Sequence, residues 1–404
     1  MTVQPGPERD TATGWATVGA AFVSMAVVFG VAYSFGAFFV PMAAEFGTGS
    51  GPTSVVFAVT ACCWFLLGPV TGRIADRWGP RPVLLAGAVA LGAGLLLTAT
   101  VHRLWLGYLT YGLGVGIAVA CGYVPLVAAV GGWFVRRRAL ALAVAVAGIG
   151  VGTLLGAPLA AALIEAVGWR RTHVVFGLAG AALLVACAVA ARRPPGPAVD
   201  APAPPFRALA RTVPFRSMYA ATLLASCALF VPVVHLPAYA ASRGAGPVAA
   251  AALVGMIGMA GVAGRVVLGA VADRFGHVRT FQGSFAVLAC GFALWLGHVL
   301  LGGPFAVLVA FAVVLGVGYG GWIALQPTVI ADAFGVHGLG WVVGLVYTAG
   351  GIGALLGAPL AGVLVDVTGG YAWAASTAAL CGLGAFTALL PLGRADFARA
   401  SGEL

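Results

Sequence analysis

One arginine sits inside a long apolar run. Arg265 occupies Gly261-Val-Ala-Gly264-Arg265-Val-Val-Leu-Gly269. A charge at the centre of such a run costs at least about 2.5 kcal/mol on insertion scales, so it defaults to a functional role. Its guanidinium stays charged and presents a planar fork that fits a carboxylate. Recognition of an organic acid is the chemistry this residue offers. Snorkelling toward the nearer surface is the structural alternative. Four tyrosines inside other apolar runs, Tyr33, Tyr123, Tyr319 and Tyr347, carry hydroxyls that could orient a carboxylate or its 2-substituent. Tyr319 is followed by Gly320 and Gly321 near the middle of its run. His235 lies toward the end of another run. Imidazole titrates near neutral pH, so it could take a proton or steer an anion; a lone histidine there is more often a hydrogen-bonded packing residue.

These residues need elements to hold them, and composition says what kind. Of 404 residues, 61% are hydrophobic and 8% charged, against about 25% charged in a soluble domain. There is too little charge to cover a soluble surface. A bilayer core about 30 Å thick takes about 20 apolar residues as a helix, so the chain has room for about a dozen spans. They are expected at 15–40, 53–72, 82–101, 104–130, 139–165, 171–191, 216–240, 248–272, 279–300, 304–330, 339–365 and 371–391. The runs are continuous and far longer than barrel strands, which predicts helices. The first is expected to be an uncleaved helix. Glu45, Glu165, Asp332 and Asp366 fall at span ends, where solvation is the default.

Lys and Arg total 21 and give a net charge of +10; no lysine occurs. With the N-terminus in the cytoplasm, sixteen arginines fall in inner segments and four in outer ones, leaving Arg265. The bias predicts both termini on the cytoplasmic side of a cell membrane. It also argues against nucleic acid as partner, because the basic residues lie between spans. Seven cysteines, all in apolar runs and without a CxxC pair, suit helix packing.

The chain repeats itself. Leu154-Leu-Gly-Ala-Pro-Leu-Ala160 recurs as Leu355 to Ala361, and Glu165 matches Asp366. Gly114, Gly116 and Pro125 match Gly316, Gly318 and Pro327. Gly72-x-x-x-Asp76-Arg77-x-Gly79 matches Gly269-x-x-x-Asp273-Arg274-x-Gly276. Between the copies runs Arg192 to Phe215, whose prolines favour extended chain. The division is a six-helix bundle over 1–191, a cytoplasmic linker over 192–215 and a second bundle over 216–404. Six-plus-six parallel repeats are the layout of transporters that rock about a central site.

Gly72-Arg-Ile-Ala-Asp76-Arg77-Trp-Gly79-Pro-Arg81 resembles the cytoplasmic loop signature of the major facilitator superfamily, and the copy around Asp273 and Arg274 its second-half counterpart. Glycine permits close approach and tight turns. A carboxylate at a helix end can accept from a neighbouring helix N-terminus or an arginine. A gating role for Gly72, Asp76, Arg77, Arg81, Asp273 and Arg274 follows. Trp133-Phe-Val-Arg136-Arg137-Arg138-Ala-Leu-Ala141, Tyr33-Ser-Phe-Gly-Ala-Phe-Phe39, Val233-Val-His235-Leu-Pro-Ala-Tyr239 and Tyr319-Gly-Gly resemble the monocarboxylate porter and oxalate/formate exchanger family. That resemblance implies the major facilitator fold, all-α with 12 transmembrane helices in two pseudo-symmetric bundles, acting as a monomer. It also implies substrate binding at Arg265, because those porters carry an eighth-helix arginine at a matching place. Animal members have an acidic residue one turn earlier, where this chain has Gly261.

No nucleotide, metal or acid–base motif is visible. Gly148-x-Gly-x-Gly has no strand before it and no lysine after it, so it suits helix packing. The expectation is a transporter with no catalytic site and no cofactor. It would carry small monocarboxylate anions by alternating access, as symport or exchange, with protons as candidate co-substrate. Gly261 and Gly264 are expected to leave room for the ligand beside Arg265. The alternatives are an exporter of drugs or another small solute on the same fold, and a membrane receptor or sensor.

Overall fold

The computed structural model describes residues 11–134, 137–194, 206–335 and 339–393. Among them every regular element is helical, and twelve helical stretches are long and apolar enough to cross a membrane. Spans 1 to 6 are Ala12–Phe46, Ser50–Trp78, Pro80–Thr98, Leu104–Trp133, Leu140–Val167 and Trp169–Ala190. Spans 7 to 12 are Val213–Ser242, Pro247–Phe275, His277–Leu301, Phe305–Phe334, Gly340–Thr368 and Ala372–Leu392. Each overlaps one expected run, with ends that differ from it by up to about six residues. The face where span 1 begins is called the near face below, and the opposite one the far face.

Exposure runs opposite to that of a soluble protein. Val89, Leu301 and Val367 are among many large apolar side chains turned outward. Ser24, Thr60, Thr98 and Gln326 are buried. In hydrocarbon each buried hydroxyl needs a local acceptor. Thr60 Oγ1 donates to the Val56 carbonyl at 3.1 Å, and Thr98 Oγ1 to Gly94 at 2.7 Å. Gln326 Nε2 reaches across to Thr222 Oγ1 of span 7 at 2.6 Å.

Small residues set which helices meet. Span 1 packs on span 5, span 7 on span 11, and span 8 on span 10. A Cβ placed on Gly30 of span 1 would stand 2.9 Å from the Gly152 carbonyl oxygen of span 5. The stretch Gly148, Gly150 and Gly152 is therefore a packing surface. Two large buried apolar clusters result, one built mainly from residues before Ala191 and one from Leu209 onward, beside a small one of Ala75, Val83 and Cys121. The first also takes in Phe230, Val234 and Ala358. Across the seam, span 2 lies on span 11 and span 5 on span 8.

Two spans are interrupted. Span 1 is a helix over Ala12–Tyr33 and another over Phe35–Phe46, with Ser34 between them and its hydroxyl on the Val31 carbonyl at 2.7 Å. Span 4 contains a π-turn over Tyr108–Leu113 and breaks again at Tyr123. Pro125 has no N–H for the Cys121 carbonyl one turn back, which opens the ladder there. Its counterpart Pro327 lies within an unbroken helix over Phe305–Phe334. Tyr123 is thus carried at a bend.

Candidate functional site: an arginine-bearing aromatic cavity between the halves

A cavity with about 200 Å³ of space for water lies between the two sets of helices. Its wall includes Phe29 and Tyr33 of span 1, Trp64 and Phe65 of span 2, Tyr123 of span 4, Ile149 of span 5, Arg265 of span 8, Tyr319 of span 10 and Tyr347 of span 11. Five of the six residues expected at a substrate site, Arg265 and the four tyrosines, therefore meet on one cavity although they come from five different spans.

Arg265 is held by close helix packing. A Cβ on Gly316 would stand 2.6 Å from the Ala260 side chain, and one on Gly264 would stand 2.7 Å from Val317 Cα. This corrects one expectation. The space beside Gly261 and Gly264 is filled by the backbone of span 10 and the ring of Tyr319, not left for a ligand. The glycines instead let span 10 approach until Tyr319 and Arg265 line the same wall. The open volume lies on the opposite side, toward spans 1, 2, 4 and 11.

The guanidinium is underused within the protein. Nη1 donates to the Val146 carbonyl of span 5 at 3.2 Å. Nε–H is buried with no hydrogen-bond partner. The two ion pairs among the described residues, Arg170–Glu45 and His277–Asp332, lie elsewhere. A buried charge with an orphaned donor is costly unless something supplies the missing acceptor. A carboxylate from a ligand supplies both charge and acceptors. Next to it the hydroxyls of Tyr33 and Tyr319 stand 3.3 Å apart across the seam, donors and acceptors for a second polar atom on that ligand.

His235 is placed elsewhere. It is fully buried in the far half of span 7, outside the cavity wall. Nε2 donates to the Ala358 carbonyl of span 11 at 3.0 Å, with Ser54 Oγ of span 2 at 3.1 Å. The ring meets Phe39 edge-on at 5.0 Å. It ties three helices together on the far side rather than facing the cavity.

Far-side contacts across the seam are close. Asp366, at the end of span 11, accepts the backbone amides of Ser50 at 2.7 Å and Gly51 at 2.8 Å, the first turn of span 2. A Cβ on Gly362 would stand 2.6 Å from the Ser50 carbonyl carbon. The residue expected to be merely solvated is therefore a cap reaching from one half to the other. Glu45 is also engaged. It takes the Arg170 fork at 2.6 and 3.0 Å, while Arg170 also donates to the Ala99 and Val101 carbonyls.

On the near face, Gly72 is buried against Val124, and Asp76, Arg77 and Arg81 are exposed. Arg193 donates to the carbonyls of Asp76 and Arg77 at 2.9 and 3.3 Å. Asp273 and Arg274 are exposed at the end of span 8. Gly79 and Gly276 adopt φ of 86° and 91°, left-handed turns that suit glycine and start spans 3 and 9. Across the seam, the Arg73 guanidinium lies 5.9 Å above the Trp341 ring. Val135 and Arg136 of the fifth-span motif lie outside the described residues.

The sequence is matched by the family profile described as Major Facilitator Superfamily over residues 20–302. This chain belongs to the major facilitator superfamily. Its members are membrane transporters, not enzymes. Monocarboxylate transporter 11 of Homo sapiens is 31% identical over 389 residues, covering 92% of this chain and 81% of that protein. Monocarboxylate transporter 13 of Bos taurus is 32% identical, covering 90% and 85%. Monocarboxylate transporter 3 of Rattus norvegicus is 33% identical, covering 91% and 78%. Among solved structures, a bacterial homologue of the human lysosomal transporter Spinster, inward-facing and occupied, superposes with a TM-score of 0.75 at 13% identity, covering 96% of this chain and 98% of that one. That likeness speaks to the fold alone.

Sequence reasoning missed Phe29, Trp64 and Phe65, which form much of the cavity wall. A signal was present for Trp64. It lies four and eight residues before Gly68 and Gly72, so all three share one helix face, and both glycines pack on Val124 at the bend of span 4.

Proposed function

We propose that this chain is a secondary active transporter of small organic monocarboxylate anions, working by alternating access as symport or exchange. One observation carries the reading: Arg265 faces the cavity between the halves with a buried, unpartnered Nε–H and, among the described residues, no carboxylate paired with it. A single fixed positive charge selects a monoanion. A second carboxylate on the ligand would meet apolar and aromatic wall. The names of the relatives, monocarboxylate transporters at 31–33% identity over most of the chain, support the same substrate class.

In this reading the bundles 1–191 and 216–404 rock about the cavity, joined by the linker 192–215. Arg265 binds the carboxylate, and Tyr33, Tyr123, Tyr319 and Tyr347 orient it. Gly72, Asp76, Arg77, Arg81, Asp273 and Arg274 form the near-face gate, and the Asp366 cap opposes it on the far face. His235 supports that far-side contact instead of touching substrate. The near face is cytoplasmic, as the arginine distribution predicts, in a cell membrane. The working unit is a monomer, and protons are the candidate co-substrate.

The test is uptake of labelled lactate, pyruvate, acetate and formate into proteoliposomes at two external pH values, with wild type beside Arg265→Ala. Saturable uptake that the substitution reduces by about a hundredfold or more is expected, since breaking a buried charge interaction costs roughly 3–5 kcal/mol. Uptake that survives the substitution would remove the carboxylate role. A response to inward acidity would identify symport.

A further inference from the structure

The cavity wall says more about the acid than its charge. Of the sixteen residues that line it, seven are aromatic: Phe29, Trp64, Phe65 and the four tyrosines. Most of the rest are aliphatic, proline or glycine, and Arg265 is the one charged residue among the described ones. Among the described residues no serine, threonine, asparagine, glutamine, histidine or carboxylate lines it. Such a wall satisfies one anionic group and, through the tyrosines, one or two more polar atoms. The body of the ligand then meets only carbon. A polyhydroxylated body would be stripped of water with nothing to replace it.

The aromatic rings form a braced arrangement. Phe29 meets Tyr123 edge-on at 5.6 Å and Trp64 at 5.8 Å. Trp64 and Phe65 lie 5.6 Å apart, and Phe65 meets Tyr347 edge-on at 5.9 Å. These spacings fall in the range that aromatic pairs favour, so the rings hold each other open around the space. An enclosed water needs roughly 10–15 Å³ on this measure. A space of about 200 Å³ is far more than acetate can fill, and a small acid would leave the rings facing water.

We propose that the preferred substrates are aryl monocarboxylates, acids whose flat ring lies between Trp64, Phe65, Phe29 and Tyr347 while Arg265 holds the carboxylate. The proposal rests on the carboxylate role of Arg265. It adds the ring site opposite as the determinant of specificity.

Calorimetric titration of the purified full-length protein in detergent tests it, with phenylacetate, acetate and benzyl alcohol as probes. Each buried methylene-sized increment is worth about fourfold in affinity, so phenylacetate should bind at least about tenfold more tightly than acetate. Benzyl alcohol, which has the ring without the charge, should bind far more weakly than phenylacetate. Trp64→Ala should lower the phenylacetate-to-acetate affinity ratio by about fivefold or more, and Trp64→Phe should largely retain it. Should the alanine variant fail to fold, the wild-type ratio decides. A ratio near one, with binding of both acids still lost in Arg265→Ala, overturns the ring site and leaves the carboxylate role standing. Acid binding that persists in Arg265→Ala overturns the carboxylate role, and the ring proposal with it.

Discussion

Arg265 and Tyr319 divide the recognition work at the scale of single residues. The arginine sets charge, while the Tyr33–Tyr319 hydroxyl pair at 3.3 Å offers a second polar contact. A net hydrogen bond is worth about 0.5–1.5 kcal/mol. Tyr319→Phe should therefore raise the KM for lactate about fivefold in proteoliposome uptake while changing that for acetate little, because acetate lacks a 2-hydroxyl. An equal effect on both acids would assign Tyr319 to packing. Arg265 and the tyrosines were legible in the sequence because polar groups inside apolar runs announce themselves. Phe29, Trp64 and Phe65 were not, because an aromatic ring in an apolar helix looks the same whether it faces lipid, core or cavity. Asp366 was misjudged for a related reason. It stands at a span end, where solvation is the default, and only the folded chain brings the amides of Ser50 and Gly51 to it.

Helix contacts depend on residues with no side chain, and glycine spacing showed this before the fold was known. What spacing did not reveal was the partner of each surface. Gly148 and Gly152 pack on span 1 while Gly150 between them packs on span 8, and Gly264 meets span 10, where the sequence had suggested room for a ligand. Gly152→Val tests the first contact. The added carbons would overlap the Ala26 backbone of span 1, and overpacking costs typically about 1–3 kcal/mol. The detergent-solubilised variant should melt several degrees below wild type. An unchanged Tm would mean that spans 1 and 5 can separate freely. The breaks in spans 1 and 4 were less legible. Pro125 marked the bend that carries Tyr123, yet its repeat partner Pro327 leaves span 10 unbroken, so proline position alone did not foretell the kink.

Two sets of helices meet over a seam whose far half is closely packed and capped and whose middle holds the cavity. The Asp366 cap is one of the polar contacts that must break for the far side to open. A helix cap is worth about 1 kcal/mol. Asp366→Asn keeps the shape and removes the charge, and should shift the balance toward far-side opening about fivefold at most. A cysteine at Ser54 in a cysteine-free background would report this as faster labelling by a membrane-impermeant maleimide. Slower labelling would give the cap the opposite sense. Twelve spans and a repeated six-helix unit were legible in the chain because hydrophobic length and duplicated motifs are properties of sequence. The fit of the seam is not, since it depends on contacts between residues hundreds of positions apart.

Among the described residues Arg265 has no carboxylate partner, and this has an electrical consequence. Under the proposed function the loaded site is neutral and the empty site carries one positive charge. A cycle that carries a monoanion inward and returns empty moves one negative charge against an interior-negative voltage. At 100 mV that opposes accumulation by about 2.3 kcal/mol, roughly fiftyfold. Swapping one acid for another on each half-cycle removes this load, and so does a proton travelling with the acid. Membrane voltage, acting on that one fixed guanidinium charge, thus favours a carrier whose full cycle moves no net charge.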